Sequence, residues 1–138
     1  MKALSVNQPW AWAIMHGGKD IENRDWSTNF RGTVYIHTGL KFDESGLLFV
    51  EELVGKTIPP ADRPRGAILG TVDIVDCVTE SNSPWFFGRY GFVLENPKPI
   101  TPRACKGALG FFEPDFESRY KTKSARKQAP DLFTGDAG

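Results

Sequence analysis

Cysteine is scarce. Cys77 and Cys105 are the two in 138 residues, too few for a disulfide scaffold. They stand apart, with no Cys-x-x-Cys pair and no histidine cluster, so a zinc site is excluded and no metal or cofactor is expected. They read as reduced thiols in a cytoplasmic protein. No apolar run approaches the ~18 residues that a membrane helix needs. The opening Met1-Lys2-Ala3-Leu4-Ser5-Val6-Asn7 lacks the long apolar core of a signal peptide and reads as a strand. Net charge is missing too. Lys and Arg number 17, Asp and Glu 17, so the strong basic excess of a typical nucleic-acid-binding domain is absent. What remains is ordinary for a soluble globular chain, with 40% hydrophobic and 25% charged residues. The length suits one domain with a core that needs neither disulfide nor metal.

The balance of charge hides a division. Residues 1–117 carry 12 basic and 15 acidic residues, and residues 118–138 carry 5 basic (Arg119, Lys121, Lys123, Arg126, Lys127) and 2 acidic (Asp131, Asp136). A mildly acidic body is followed by a basic tail. The tail has no apolar periodicity and is expected to be mostly disordered and solvated.

Fourteen glycines and ten prolines punctuate the body into short pieces. Ala3–Asn7 reads as a strand. Gln8-Pro9-Trp10 opens a helix, with Pro9 suited to its first turn. Trp10, Ala13 and Ile14 keep helical spacing, and Gly17-Gly18 end it. Lys19–Trp26 reads as extended. Gly32–Thr38 is a strand with Val34 and Ile36 on one face and Tyr35 and His37 on the other. Phe42–Val54 has helical spacing, and Thr57–Pro64, with three prolines, is a loop. Ala67–Val78 is a long strand whose Gly70 suggests a bulge or bend. Tyr90–Glu95 and Ala108–Phe112 are two more strands. Asn96-Pro97-Lys98-Pro99-Ile100 cannot be a central strand, because its prolines donate no ladder bond. The sum is an α+β, mainly β fold: a small mixed β-barrel, closed or nearly so, with two or more short helices.

The segment Gly18-Lys19-Asp20-Ile21-Glu22-Asn23-Arg24-Asp25-Trp26 stands out. Alternation puts Glu22, Arg24 and Trp26 on one face. Two accounts fit the spacing equally. Either an edge strand shows a solvated face with a surface Glu22–Arg24 pair, or Lys19, Glu22 and Arg24 floor a polar cleft walled by Trp26 or Trp10. Buried charges are tolerated only when paired and hydrogen-bonded. Aromatic faces beside Lys and Arg are what base stacking and phosphate neutralisation need. Trp12 and Trp85 read instead as plugs of the barrel ends. His37, a lone strand histidine, reads as a hydrogen-bonded structural residue. With no Ser or Cys beside either histidine in sequence, no triad can be argued.

These residues carry a resemblance. Leu4-Ser5-Val6-Asn7-Gln8-Pro9-Trp10-Ala11, then Gly18-Lys19-x-x-Glu22-x-Arg24-x-Trp26, then Arg31-Gly32-x-Val34-x-Ile36-His37, resembles the ASCH (activating-signal-cointegrator homology) domain. So do Gly66–Val72, Tyr90–Pro97 and Lys106–Phe112, and the likeness covers residues 3–113. The resemblance implies a PUA-like fold with a cleft between barrel and first helix that engages RNA or nucleotides. It places Lys19, Glu22 and Arg24 in that cleft, with Trp10, Trp26, Arg31 and His37 around them and Asn7, Gln8 and Asn96 as lesser candidates. It implies RNA, single-stranded nucleic acid or a nucleoside as partner. Lys19, Arg24 and Arg31 would meet phosphate, and Glu22 would accept from a base edge or orient Arg24.

The alternative is a small metal-independent hydrolase in the same cleft. One branch of the wider family cleaves RNA, and there Lys19, Glu22 and Arg24 would be catalytic, with His37 a further candidate base. Another resembles an amidohydrolase of acylated cytidine, in which a Lys-x-x-Thr supplies a Thr nucleophile. This chain has Glu22 at the Thr position. A carboxylate cannot repeat Thr acyl chemistry, though it can act as a general base on water. The downstream carboxylates Asp76 and Glu80 match no motif of that branch.

Overall fold

The structure is a computed structural model and describes residues 1–115. The expected basic tail, residues 118–138, lies outside the described residues. Alternation from Ala3 gives β1 (Ala3–Gln8), with Leu4 and Val6 buried and Asn7 turned out to solvent. A cis Gln8–Pro9 bond leads into α1 (Trp10–His16), with Pro9 as its N-cap. Pro9 has no capping side chain, and the fully buried Gln8 supplies one. Its Oε1 accepts from Trp12 N at 2.9 Å while its Nε2 donates to Pro64 O at 2.9 Å. The first of these bonds satisfies an N–H that the helix itself cannot. Then come β2 (Ile21–Arg24), β3 (Gly32–Phe42), α2 (Glu44–Val54), β4 (Ala67–Val78), β5 (Tyr90–Ala104) and β6 (Phe111–Phe112). A single 3₁₀ turn, Pro60–Asp62, interrupts the proline-rich loop before β4. No described helix is long and apolar enough to cross a membrane.

The six strands form one sheet in the order β2-β5-β4-β3-β1-β6. The β1–β3 pair is parallel and the others are antiparallel. The mixed barrel expected from the sequence is thus a curled half-barrel, with β2 and β6 at its free edges. Side chains bridge the seam between them. Arg24 Nη2 on β2 donates to Ser5 O on β1 at 2.7 Å. The Trp26 ring meets Phe111 of β6 edge-on, 5.6 Å between centroids. The main core, with Leu4, Val6, Ile14, Val34, Ile36 and Phe92, fills the concave side under α1. A second cluster joins α1 to Val50 of α2, Ile21 and Trp85.

Four boundaries differ from the sequence expectation. The extended segment around Lys19 narrows to Ile21–Arg24, the stretch that pairs with Tyr90–Val93 of β5. Strand β3 runs on to Phe42, so the second helix starts at Glu44. Asp43 caps it and accepts from Gly46 N at 3.1 Å. The last strand shrinks to the two residues that pair with Ala3 and Leu4. Strand β5 continues through Pro97 and Pro99 to Ala104. The prolines are tolerated because β2 ends its pairing at Val93, leaving β4 as the only strand neighbour beyond that point among the described residues. Gly70 does sit at a register shift of the β4–β5 ladder, the bend that its place in the strand suggested.

Candidate functional site

The site begins where α1 stops. Gly18 adopts φ +78°, a left-handed conformation that glycine reaches without strain. The turn folds Lys19 back under the helix, its N–H donating to Ala13 O at 3.0 Å. Lys19 is 4% exposed. Its ammonium donates to Ile21 O and lies 5.4 Å from the Trp10 ring centroid and 5.6 Å from that of Trp85. Among the described residues no carboxylate comes within ion-pairing distance of it. Burial pulls the Lys19 pKa below its usual 10.5, opposed by the longer-range fields of Glu22 and then Asp20.

Two residues along, Glu22 is 7% exposed. Its Oε2 takes both Arg24 Nε and Arg24 Nη2 at 3.0 Å. Strand β2 is an edge, but the solvated surface pair of the first account is not found: Glu22 and Arg24 are shielded and line the cleft. Arg24 also stands 6.0 Å from the Trp26 ring centroid. Trp26 packs on Phe92 and Phe111 and stays partly exposed. Trp10 is steered from α2. Its Nε1 donates to Asp43 Oδ2 at 3.0 Å, and its ring rests where a side chain on Gly46 would stand. Hydrogen bonds from Ser45 and Trp10 hold the Asp43 pKa below the usual carboxylate range.

These groups line one cleft of about 650 Å³, together with Ser5, Asn7, Asp25 and the lip Phe87-Gly88-Arg89. Sequence reasoning missed that lip, and it took Trp85 for a plug. Trp85 is indeed buried, but it also backs Lys19. Asn23 draws the segment in: its Nδ2 donates to Trp85 O at 2.9 Å and its Oδ1 accepts from Phe87 N at 2.8 Å. Asn23 alternates with Glu22, which was the available signal that β2 reaches to both sides.

Of the expected site residues, Trp10, Lys19, Glu22, Arg24 and Trp26 come together in the cleft. His37 and Arg31 do not line it. His37 is 2% exposed, with Nε2 at 2.7 Å from Cys105 O and Nδ1 at 2.9 Å from Ser5 Oγ. A carbonyl only accepts, so in the neutral ring Nε2 carries the proton and Nδ1 accepts from the Ser5 hydroxyl. It touches Ser5, whose carbonyl holds Arg24. Arg31 braces its own turn, donating to Thr28 O and Phe30 O and standing 3.7 Å from Asp76 Oδ1. Of the lesser candidates, Asn7 lines the cleft, Gln8 is buried under α1, and Asn96 donates to Asp73 at 2.9 Å. Among the described residues no cluster of three or more His, Cys, Asp or Glu is placed to hold a metal ion.

The Glu22–Arg24 pair sets an expected result. Arg24→Met removes the seam bond to Ser5 and leaves Glu22 shielded without its cation. The loss should be about 2 kcal/mol in urea unfolding, below the range for fully buried pairs because both groups keep some solvent. Glu22→Gln combined with Arg24→Met should recover at least half of it. If the double variant is as unstable as the sum of the singles, the two side chains are not coupled.

The family model for the ASCH domain matches residues 4–101. Activating signal cointegrator 1 from Homo sapiens is 34% identical, over 70% of this chain and 19% of that protein. Its Mus musculus counterpart is 36% identical with the same coverage. The chain thus spans about a fifth of the curated relatives it matches. Among solved structures, the ASCH protein from Zymomonas mobilis aligns over 94% of this chain and 82% of that one, at 16% identity and a TM-score of 0.45. With the match to the family model spanning most of the described residues, and with relatives above 30% identity, the chain belongs to the ASCH-domain family.

Proposed function

We propose that this domain binds a short single strand of nucleic acid, RNA foremost, or one nucleotide of it, in the Lys19–Glu22–Arg24 cleft. Nucleic-acid binding is the expectation for the family, and one observation supports this location. An ammonium is buried at the floor of an open cleft, held by one carbonyl and two aromatic rings, with no carboxylate in contact. Such a charge is costly to hide and is met by an anionic or carbonyl-bearing ligand. Trp10 and Trp26 offer faces for a base, and Arg24 and Arg89 stand at the walls.

The cleft holds few cations, so few counterions leave on binding. Fluorescence anisotropy of short RNA oligomers across a salt series should give a log–log slope no steeper than about −2, from about 0.7 per phosphate contact on a single strand. Tryptophan emission should be quenched as a base stacks. A slope reporting six or more counterions would replace the cleft with a broad basic groove.

The lowered Lys19 pKa favours a second reading, hydrolysis in the same cleft. A lysine whose pKa is lowered by burial gives up and takes a proton more readily than a free one, and the Glu22 carboxylate lines the same cleft. Chromatography of RNA oligomers and acylated cytidine after incubation separates the readings: binding alone leaves both intact.

A further inference from the structure

Glu22 has two carboxylate oxygens, and Arg24 uses one. Both short contacts from the guanidinium go to Oε2. Among the described residues no donor stands within hydrogen-bonding distance of Oε1, although the side chain is 10% exposed and lines the cleft. A ligand that fills the cleft against this oxygen must supply a donor of its own or leave a shielded carboxylate unmet. An ionised carboxylate accepts only, so a carbonyl or a lone-pair nitrogen cannot stand in. Lys19, which also lines the cleft, brings a donor to the same floor.

Resting on the reading of the cleft as a nucleic-acid site, we infer that Glu22 Oε1 selects unpaired bases by accepting an N–H from their Watson–Crick edge. In a base pair those N–H groups are already engaged, and the edge is closed to Glu22. An unpaired uracil offers N3–H, and an unpaired cytosine offers its exocyclic amine. A ribose hydroxyl is also a donor. The base edge is favoured because Trp10 and Trp26 line the cleft, and flat π-faces suit the stacking of a base. The role of Glu22 is thus a second one, beyond orienting Arg24.

The test uses RNA hexamers that differ only at that edge. Uridine is compared with N3-methyluridine, and cytidine with N4,N4-dimethylcytidine, with deoxy versions of each unmodified oligomer. None of these strands forms a duplex with itself, and all carry the same phosphates. Blocking the donor should weaken binding about tenfold or more, the scale of one hydrogen bond to a charged group. The deoxy oligomers should bind as the ribose ones do. In Glu22→Leu, checked for folding by circular dichroism, blocked and unblocked strands should bind alike. Equal affinity of blocked and unblocked strands for the wild-type protein overturns the inference and leaves the cleft reading standing. Loss on removing the 2′-hydroxyl with no loss on methylation also overturns it, assigning Oε1 to the sugar. If no unmodified oligomer binds, the cleft reading itself falls.

Discussion

Lys19→Met is expected to weaken oligonucleotide binding by roughly 100-fold, the scale of one or two charge-assisted contacts, while the unfolding midpoint holds or rises. The two halves of this result have one cause. Methionine keeps the length of the side chain, and its thioether packs well on the Trp10 and Trp85 rings. It loses the bond to Ile21 O, at about 1 kcal/mol. It also escapes the desolvation that dominates the lysine's lowered pKa, and a buried charge replaced by an apolar group of similar volume is often neutral or stabilising. The pH dependence carries the same signature. In the folded state Lys19 gives up its proton below the usual 10.5. Between that lowered value and 10.5 the unfolded chain binds more protons, so stability gains from Lys19 as pH rises through this window. Below the window the destabilising contribution is present in full. The methionine variant lacks this rise, so its advantage over wild type should shrink toward alkaline pH. A variant several degrees less stable at neutral pH would show that the rings and carbonyl outweigh burial. Retained affinity in a folded variant would remove Lys19 from the binding site.

Much of the site was legible because it is local. Lys19, Glu22 and Arg24 fall within six residues, and period-two alternation put the last two on one face before any fold was known. The edge position of β2 was only one of two accounts that the sequence left open. What sequence could not show is long-range. Trp85 reaches Lys19 across 66 positions, and Asn23 fastens Phe87 across 64. His37 illustrates the converse. Alternation placed it opposite Val34 and Ile36 and its residue type suggested a hydrogen-bonded structural role, which it has under the segment bearing Cys105; the resemblance had set it beside the cleft, which it does not line. The prolines of β5 mislead for a related reason. They forbid pairing on one side only, and whether a strand has one neighbour or two is decided by where β2 stops.

Gly70→Ala is expected to destabilise the domain by about 3 kcal/mol or more, a fall of roughly 10 °C in midpoint. A Cβ there would stand 2.3 Å from Lys98 O, 2.6 Å from Met15 Sδ and 2.9 Å from Pro99 Cα. Met15 has rotamers to yield with, but the Lys98 carbonyl and the Pro99 backbone belong to the paired strand and move only if the ladder opens. The absent side chain is what lets β5 cross close over the bend in β4. The same bend brings Met15, and with it α1, against the sheet. Because α1 carries Trp10 and turns Lys19 beneath it, the alanine should also weaken ligand binding from outside the cleft. Gly88→Ala on the cleft lip gives the contrast. It too has positive φ, at +86°, but nothing lies within 4 Å of its Cβ. Its cost should be the backbone strain alone, about 1 kcal/mol. Denaturant unfolding of the two variants side by side separates close approach from conformational strain. Equal losses would mean that the β4–β5 crossing is pliable and that some other feature sets the curl of the sheet.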